Sequence, residues 1–187
     1  MKIINKSEVS EELLNKINKY TPPIFIDSWL ENCDQKIKDW AIKEKEKKGL
    51  YIYGACGTGK TYSLYAIRKN CLASEVNSRI INTVELLRLF KLDFNDKHEH
   101  NFENYLEYTG ILFIDDIGAE KNSEFVDETL YHLINVRYEK MLPTCFTSNL
   151  SLKELAEKNG DRLVSRIAGM CEIIKLEGND RRIESKN

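Results

Sequence analysis

Eight consecutive residues, Gly54-Ala55-Cys56-Gly57-Thr58-Gly59-Lys60-Thr61, carry the spacing G-x-x-x-x-G-K-[ST]. That spacing suits a phosphate chain. The glycines let the backbone curl until successive N–H groups face one anion, and a helix starting at Lys60 turns its positive dipole end to the same point. Lys60 would reach the β- and γ-phosphates of a nucleoside triphosphate, and the Thr61 hydroxyl would coordinate Mg²⁺. Tyr62, next in the chain, joins these eight in the expected nucleotide-contacting set. A chance glycine turn is the competing reading, arising on the order of once in 100 to 200 chains of this length. Here the motif sits between an apolar run, Leu50-Tyr51-Ile52-Tyr53, and a helical pattern, the context that makes it a phosphate loop.

A second chemical signal is Ile111-Leu112-Phe113-Ile114-Asp115-Asp116, four apolar residues running into two carboxylates. Ligands of open α/β sheets gather at such strand ends. Asp115 is expected to hold Mg²⁺, directly or through water, and Asp116 to polarise the attacking water. Adjacent side chains on a strand point to opposite faces, so the two roles should differ. An acidic turn after a core strand is the plainer alternative, and the phosphate loop shifts the balance to function.

Asn149 closes a further strand pattern, Thr144 to Thr147, and can orient a water or touch the γ-phosphate because an amide both donates and accepts. Alone, it reads equally as a turn residue before the Ser151 cap. Arg162 and Arg166 stand four apart, sharing a helix face, and a guanidinium suits the charge of a transferring phosphoryl group. Two surface arginines are more often merely solvated. The same holds for Arg181 and Arg182.

These residues need a scaffold, and the pattern supplies one. Short apolar runs at Leu50–Tyr53, Arg79–Ile81, Ile111–Ile114, Thr144–Thr147 and Glu172–Leu176 alternate with helical periods at Lys60 to Asn70, after Asn82, at Phe125 to Tyr138, after Ser151 and at Arg162 to Ala168. Asn82 with Glu85, and Ser151 with Glu154, have capping-box spacing. Such alternation predicts right-handed crossovers and an α/β fold with a mainly parallel sheet covered on both faces. Upstream, Ser7 to Tyr20 forms a helix stopped by Pro22-Pro23, and a second helix turns Trp29, Leu30, Ile37, Trp40 and Ala41 inward before Gly49.

The chain has 187 residues, enough for one domain. With 28 Lys and Arg against 30 Asp and Glu, a strongly basic, duplex-coating protein is excluded, and any DNA contact must be local. The five cysteines are scattered without C-x-x-C spacing, which fits a reducing cytoplasm. No apolar run approaches the ~20 residues that cross a bilayer.

Together GACGTGKT, ILFIDDIGAE, PTCFTSNLSLKEL, DRLVSRI and EGNDRR resemble the AAA+ ATPases of the DnaC/DnaI helicase-loader and IstB transposition-helper group, from about Pro23 to Arg182. The resemblance implies an AAA+/ASCE-type P-loop NTPase with a mainly parallel five-stranded sheet and a reduced or absent C-terminal lid. It makes residues 1–20 a short N-terminal helical extension and 21–187 the ATPase domain. By the family pattern Asp115 and Asp116 form Walker B, Asn149 is sensor 1, Arg166 is the arginine finger with Arg162 beside it, and Arg182 is a sensor-2-type contact. ATP and Mg²⁺ are the implied ligands. A replicative helicase (or a transposase, for an IstB-like helper), single-stranded DNA and further copies of the chain are the implied partners, with no membrane.

Two departures stand out. Position 181, usually aromatic in the closing segment, is Arg here. Only about 20 residues precede Thr21, none of them cysteine, so a partner is expected to dock on the core surface or the short N-terminal helix. Among weaker signals, Lys97-His98-Glu99-His100 reads as a solvated loop and the run Lys43 to Lys48 as an exposed helix end. Tyr62 and Tyr65 with Arg68 and Lys69 have the types that bind a single strand, but a helix packed on a sheet needs such bulk anyway.

Overall fold

The computed structural model of the chain describes residues 2–43, 48–95, 101–121 and 123–181. Their order is α1 (Glu11–Lys19), α2 (Gln35–Ile42), β1 (Gly49–Tyr53), α3 (Lys60–Ala73), β2 (Ser78–Asn82), α4 (Thr83–Asn95), α5 (Glu103–Leu106), β3 (Ile111–Asp115), α6 (Glu124–Glu139), β4 (Thr144–Ser148), α7 (Leu152–Asn159), α8 (Asp161–Met170) and β5 (Cys171–Lys175). The five strands form one sheet in the order β2-β3-β4-β1-β5, with every neighbouring pair parallel. β4 is thus inserted between β1, which leads into the phosphate loop, and β3, which ends on Asp115.

The period-two alternation of each strand divides the core. Leu50 and Ile52 of β1, Phe113 of β3 and Cys145 of β4 face α2 and α3, packing with Ile37, Trp40, Leu64 and Ile67. Tyr51, Leu112, Ile114 and Phe146 face the other way, against Leu86 of α4, Leu130 and Leu133 of α6 and Ile167 of α8. Both faces being covered, β4 is buried from end to end. Gly49 opens β1 because the Thr144 carbonyl of β4 lies 1.9 Å from where its Cβ would stand.

The first two helices differ from their sequence expectation. Helix α1 starts at Glu11, where the Ser10 hydroxyl accepts the Leu13 N–H; Lys6–Glu8 is a separate 3-10 turn. Trp29 and Leu30 are buried but precede α2: Trp29 is extended, Leu30–Asn32 is a 3-10 turn, and the Asp34 carboxylate caps the helix through the Lys36 N–H. A local cap overrode the apolar period. The stretch 44–47 within the charged run, and the histidines of Lys97 to His100, lie outside the described residues.

The N-terminal segment lies against α3. Asn70 accepts the Ile4 N–H at 2.7 Å and donates to the Lys2 carbonyl at 3.0 Å, Arg68 donates to the Tyr20 carbonyl, and Lys69 donates to the Phe25 and Ile26 carbonyls. Tyr65 stacks on Phe25 with 4.5 Å between centroids, so this helix face packs on its own chain, as its bulk suggested. All five cysteines are free thiols. No helix among the described residues is long and apolar enough to cross a membrane.

Candidate nucleotide site at the strand ends

The β1–α3 connection curls as its glycines demand. Gly57 has φ +80° and lies so close to Asp180 that a Cβ would meet the Asp180 carboxylate at 2.0 Å, so no other residue fits. The Thr58 hydroxyl donates to the Ala55 carbonyl at 2.9 Å. Lys60, 7% exposed, folds back over the loop and donates to the carbonyls of Gly54 and Ala55 at 2.8 and 2.7 Å. Its ammonium is therefore already in the loop. Cys56 is exposed.

Thr61 and Asp115 meet. The Thr61 hydroxyl is 3.1 and 3.2 Å from the two carboxylate oxygens of Asp115, across residues 54 apart in sequence. The Thr147 hydroxyl also donates to Asp115 and accepts the Asp116 N–H at 2.8 Å. Burial pushes the Asp115 pKa up, and these two hydroxyl bonds partly oppose it.

Asp116 points elsewhere, as two consecutive strand-end carboxylates should. It sits at φ +60°, a conformation unfavourable for a non-glycine residue, and accepts the Asn149 amide at 3.2 Å. The Ile117 N–H bonds the Thr147 carbonyl at 2.8 Å, completing the clamp of β4 on the acidic turn. The following loop is fixed as firmly: buried Glu120 accepts the Gly118 N–H at 2.9 Å, and Lys158 donates to the Gly118 and Glu120 carbonyls, each at 2.6 Å. Thr147, Glu120 and Lys158 escaped the sequence reading. The threonine immediately before Ser148-Asn149 was the available signal.

Two chain segments border the loop. The Tyr62 hydroxyl donates to the Asp27 carbonyl at 2.7 Å, which places Tyr62 between the N-terminal segment and α3. The closing segment comes back over the glycines: Leu176 N–H bonds the Tyr53 carbonyl and Arg181 N–H the Gly57 carbonyl. The Arg181 guanidinium lies 3.4 Å from where a Cβ on Gly59 would stand. Arg182 lies outside the described residues.

Arg166 and Arg162 are on α8 and do not join this group. Arg166 donates to the Asn135 side chain and, at 3.3 Å, to the Arg162 carbonyl, and its guanidinium carbon lies 4.9 Å from the Tyr131 ring centroid. These partners all belong to α6 or α8, and none of them is a residue of the phosphate loop.

Residues 29–173 match the model of the bacterial DnaA ATPase domain, most of the chain. The chain belongs to the bacterial DnaA ATPase-domain family. Among curated proteins, this DnaA-type domain is 35% identical over 148 residues to the replicative helicase loader DnaI of Bacillus subtilis (strain 168), covering 72% of this chain and 48% of the loader. The chain thus spans about half the length of that relative. Among solved structures, a crystal structure of DnaI superimposes with TM-score 0.69 at 28% identity, covering 87% of this chain and 95% of that one. The DnaC helicase loader shares the fold at TM-score 0.67 and 23% identity, covering 90% of this chain and all of the other. The DnaA-type domain is accordingly an AAA+ ATPase domain of the DnaC/DnaI replication group, with the α/β five-stranded sheet that the sequence predicted.

Proposed function

We propose that this DnaA-type domain binds ATP with Mg²⁺, hydrolyses it slowly, and acts as a cytoplasmic oligomer that places a replicative helicase on single-stranded DNA. The observation that carries the reading is the continuous line Thr61–Asp115–Thr147–Asp116–Asn149 beside the Lys60 loop. Such a line supports the reading because it gathers hydroxyls, two carboxylates and a neutral amide in one strand-end cluster.

The residues present fit the metal. A hydroxyl and a carboxylate about 3 Å apart at a half-buried strand end are the hard oxygen donors Mg²⁺ takes, with water and phosphate oxygens filling its shell. Thr61 and Asp115 would hold it, and when bound it neutralises charge on the β- and γ-phosphate oxygens. Lys60 exchanges its two loop carbonyls for phosphate oxygens. Asp116 would polarise the attacking water by accepting a hydrogen bond from it, while Asn149 keeps that carboxylate aimed. Arg166, whose contacts lie on α6 and α8, serves the site of the next subunit, with Arg162 beside it, and Arg181 or Arg182 closes over the nucleotide. By this reading domain 21–187 is the ATPase and residues 1–20 an extension docked on its P-loop helix.

The test is ATP turnover with and without single-stranded DNA, alongside nucleotide affinity. Arg166→Ala is expected to keep ATP affinity and lose DNA-stimulated turnover; normal turnover would overturn the trans-arginine role. Recovery of a replicative helicase with an Asp116→Asn variant from the native cell supports the loading role, and recovery of a transposase would favour the helper reading instead.

A further inference from the structure

A cavity of about 590 Å³ opens from the Thr61–Asp115 edge along β2. It lies within the size range of small-ligand sites, about 300–1,000 Å³. The reading above uses only its inner rim. Its outer part is formed by Tyr65, Arg79, Asn82, Asn104 and Tyr105, with Phe25 behind Tyr65.

The charges in this outer part are unequal. Glu85, which also borders the cavity, is spent in a bidentate pair with Arg88 at 2.6 and 2.7 Å. Arg79 has no carboxylate partner among the described residues. It is steadied instead by the Asn104 carbonyl at 3.1 Å and by the faces of Tyr108 and Tyr105, with its guanidinium carbon 4.5 and 5.9 Å from their centroids. An exposed guanidinium fixed by a carbonyl and two rings keeps N–H donors for an anion. The ring of Tyr65 is likewise pre-set by its 15° stack on Phe25. The Asn104 side chain is exposed and makes no hydrogen bond among the described residues, leaving an amide that can both donate and accept.

We infer that this cavity binds one nucleotide unit, its base against the tyrosine rings and the Asn104 amide and its phosphate at Arg79. Rings for a base face, an amide for a base edge and a guanidinium for a phosphate are the three groups that nucleotide recognition needs. The unit is either a free mononucleotide or one residue of a single strand. The inference deepens the single-strand contact proposed above by giving it a place, and it needs neither hydrolysis nor a helicase.

The probes are a fluorescein-labelled oligodeoxythymidylate and thymidine monophosphate, titrated against the full chain at fixed salt. A fluorescent ATP analogue is titrated in parallel, so that loss of the ATP site is read separately. Arg79→Gln is expected to weaken strand binding about tenfold and to lower the slope of log affinity against log salt by about 0.7, the value of one phosphate contact on a single strand. Asn104→Ala, at an exposed side chain, should weaken it severalfold without loss of fold. ATP affinity should hold in both. If the monophosphate competes with the strand through Arg79, the occupant is a free nucleotide; if only the strand binds, it is a strand residue. Strand and monophosphate binding unchanged in both variants, or absent in a wild-type chain that binds ATP, overturns the inference.

Discussion

The Thr147 hydroxyl joins the two acidic residues of the site, donating to the Asp115 carboxylate and accepting the Asp116 N–H at 2.8 Å. Thr147 is 1% exposed and lies on β4, the strand inserted between the phosphate-loop strand and the acidic one. One side chain therefore sets the direction of Asp115 and supports the left-handed backbone of Asp116. Removing it should loosen both without touching the nucleotide itself.

Thr147→Val keeps the volume and removes both bonds. Turnover should fall by roughly 10- to 100-fold, the usual range for a lost outer-shell partner, and half-maximal activity should need more Mg²⁺. Thr147→Ser should restore most of both. A valine variant with unchanged Mg²⁺ dependence would show that Thr147 only fills space.

Lys60 gives the second prediction. Its ammonium donates to the Gly54 and Ala55 carbonyls, so the lysine already lies within the loop that the proposed function gives to phosphate. In Lys60→Ala the fold should survive, at a loss of about 1–2 kcal/mol for the two abandoned bonds. Thermal stabilisation by ATP–Mg²⁺ should vanish, whereas the wild type should gain about 2.7 kcal/mol at 100 times its dissociation constant. An equal thermal shift in both proteins would remove Lys60 from phosphate binding.

What the sequence made legible followed from local rules. A glycine spacing, an apolar run ending in carboxylates and a capping box each need only a few neighbouring residues, and the strands and helices after Gly49 follow them closely. The start of α2 did not, because Asp34 captured the helix N-terminus five residues past Trp29, the first of the expected inward-facing residues. Thr147 stayed hidden for another reason. Its two bonds reach residues 31 and 32 positions earlier, a pairing fixed only once β4 lies beside β3. Arg181 likewise meets Gly57 only because β5 lies on the far side of β1.

Among the described residues Arg137 is the largest fully buried charged side chain, and its role is architectural. With no exposure, it donates to the carbonyls of Tyr105, Tyr108 and Pro143 at 2.8, 3.0 and 3.0 Å and to the Thr144 hydroxyl at 2.7 Å. Burial pushes its pKa down to about 10. The fork ties the chain entering β3 to the start of β4. Arg137→Met should lower stability by about 3–5 kcal/mol in a urea titration, since several buried carbonyls lose their donor. Arg137→Lys should recover little, because an ammonium cannot span the same set. Stability within 1 kcal/mol of wild type in the Met variant would contradict this.

Lys69 is expected to make stability depend on pH through its place under the N-terminal segment. It is 1% exposed, donates to the Phe25 and Ile26 carbonyls and stands 5.0 Å from the Trp29 ring centroid. Burial pushes its pKa down from 10.5 to about 8; Asp27 opposes this, and Lys6, itself paired with Asp27 at 2.9 Å, adds to it. The unfolded chain then holds more protons than the folded one between about pH 8 and pH 10.5, so this residue makes stability rise with pH across that window and contributes no slope below it. The limiting slope is about 1.4 kcal/mol per pH unit. Tyrosine and cysteine side chains of an unfolded chain ionise in the same range, so the measurement is the difference between wild type and Lys69→Met, by urea unfolding at pH 7.5 and pH 10. Wild type should gain about 2 kcal/mol on the variant between those conditions. A difference that stays constant would mean that Lys69 keeps its proton across the window and that the segment is held without regard to pH.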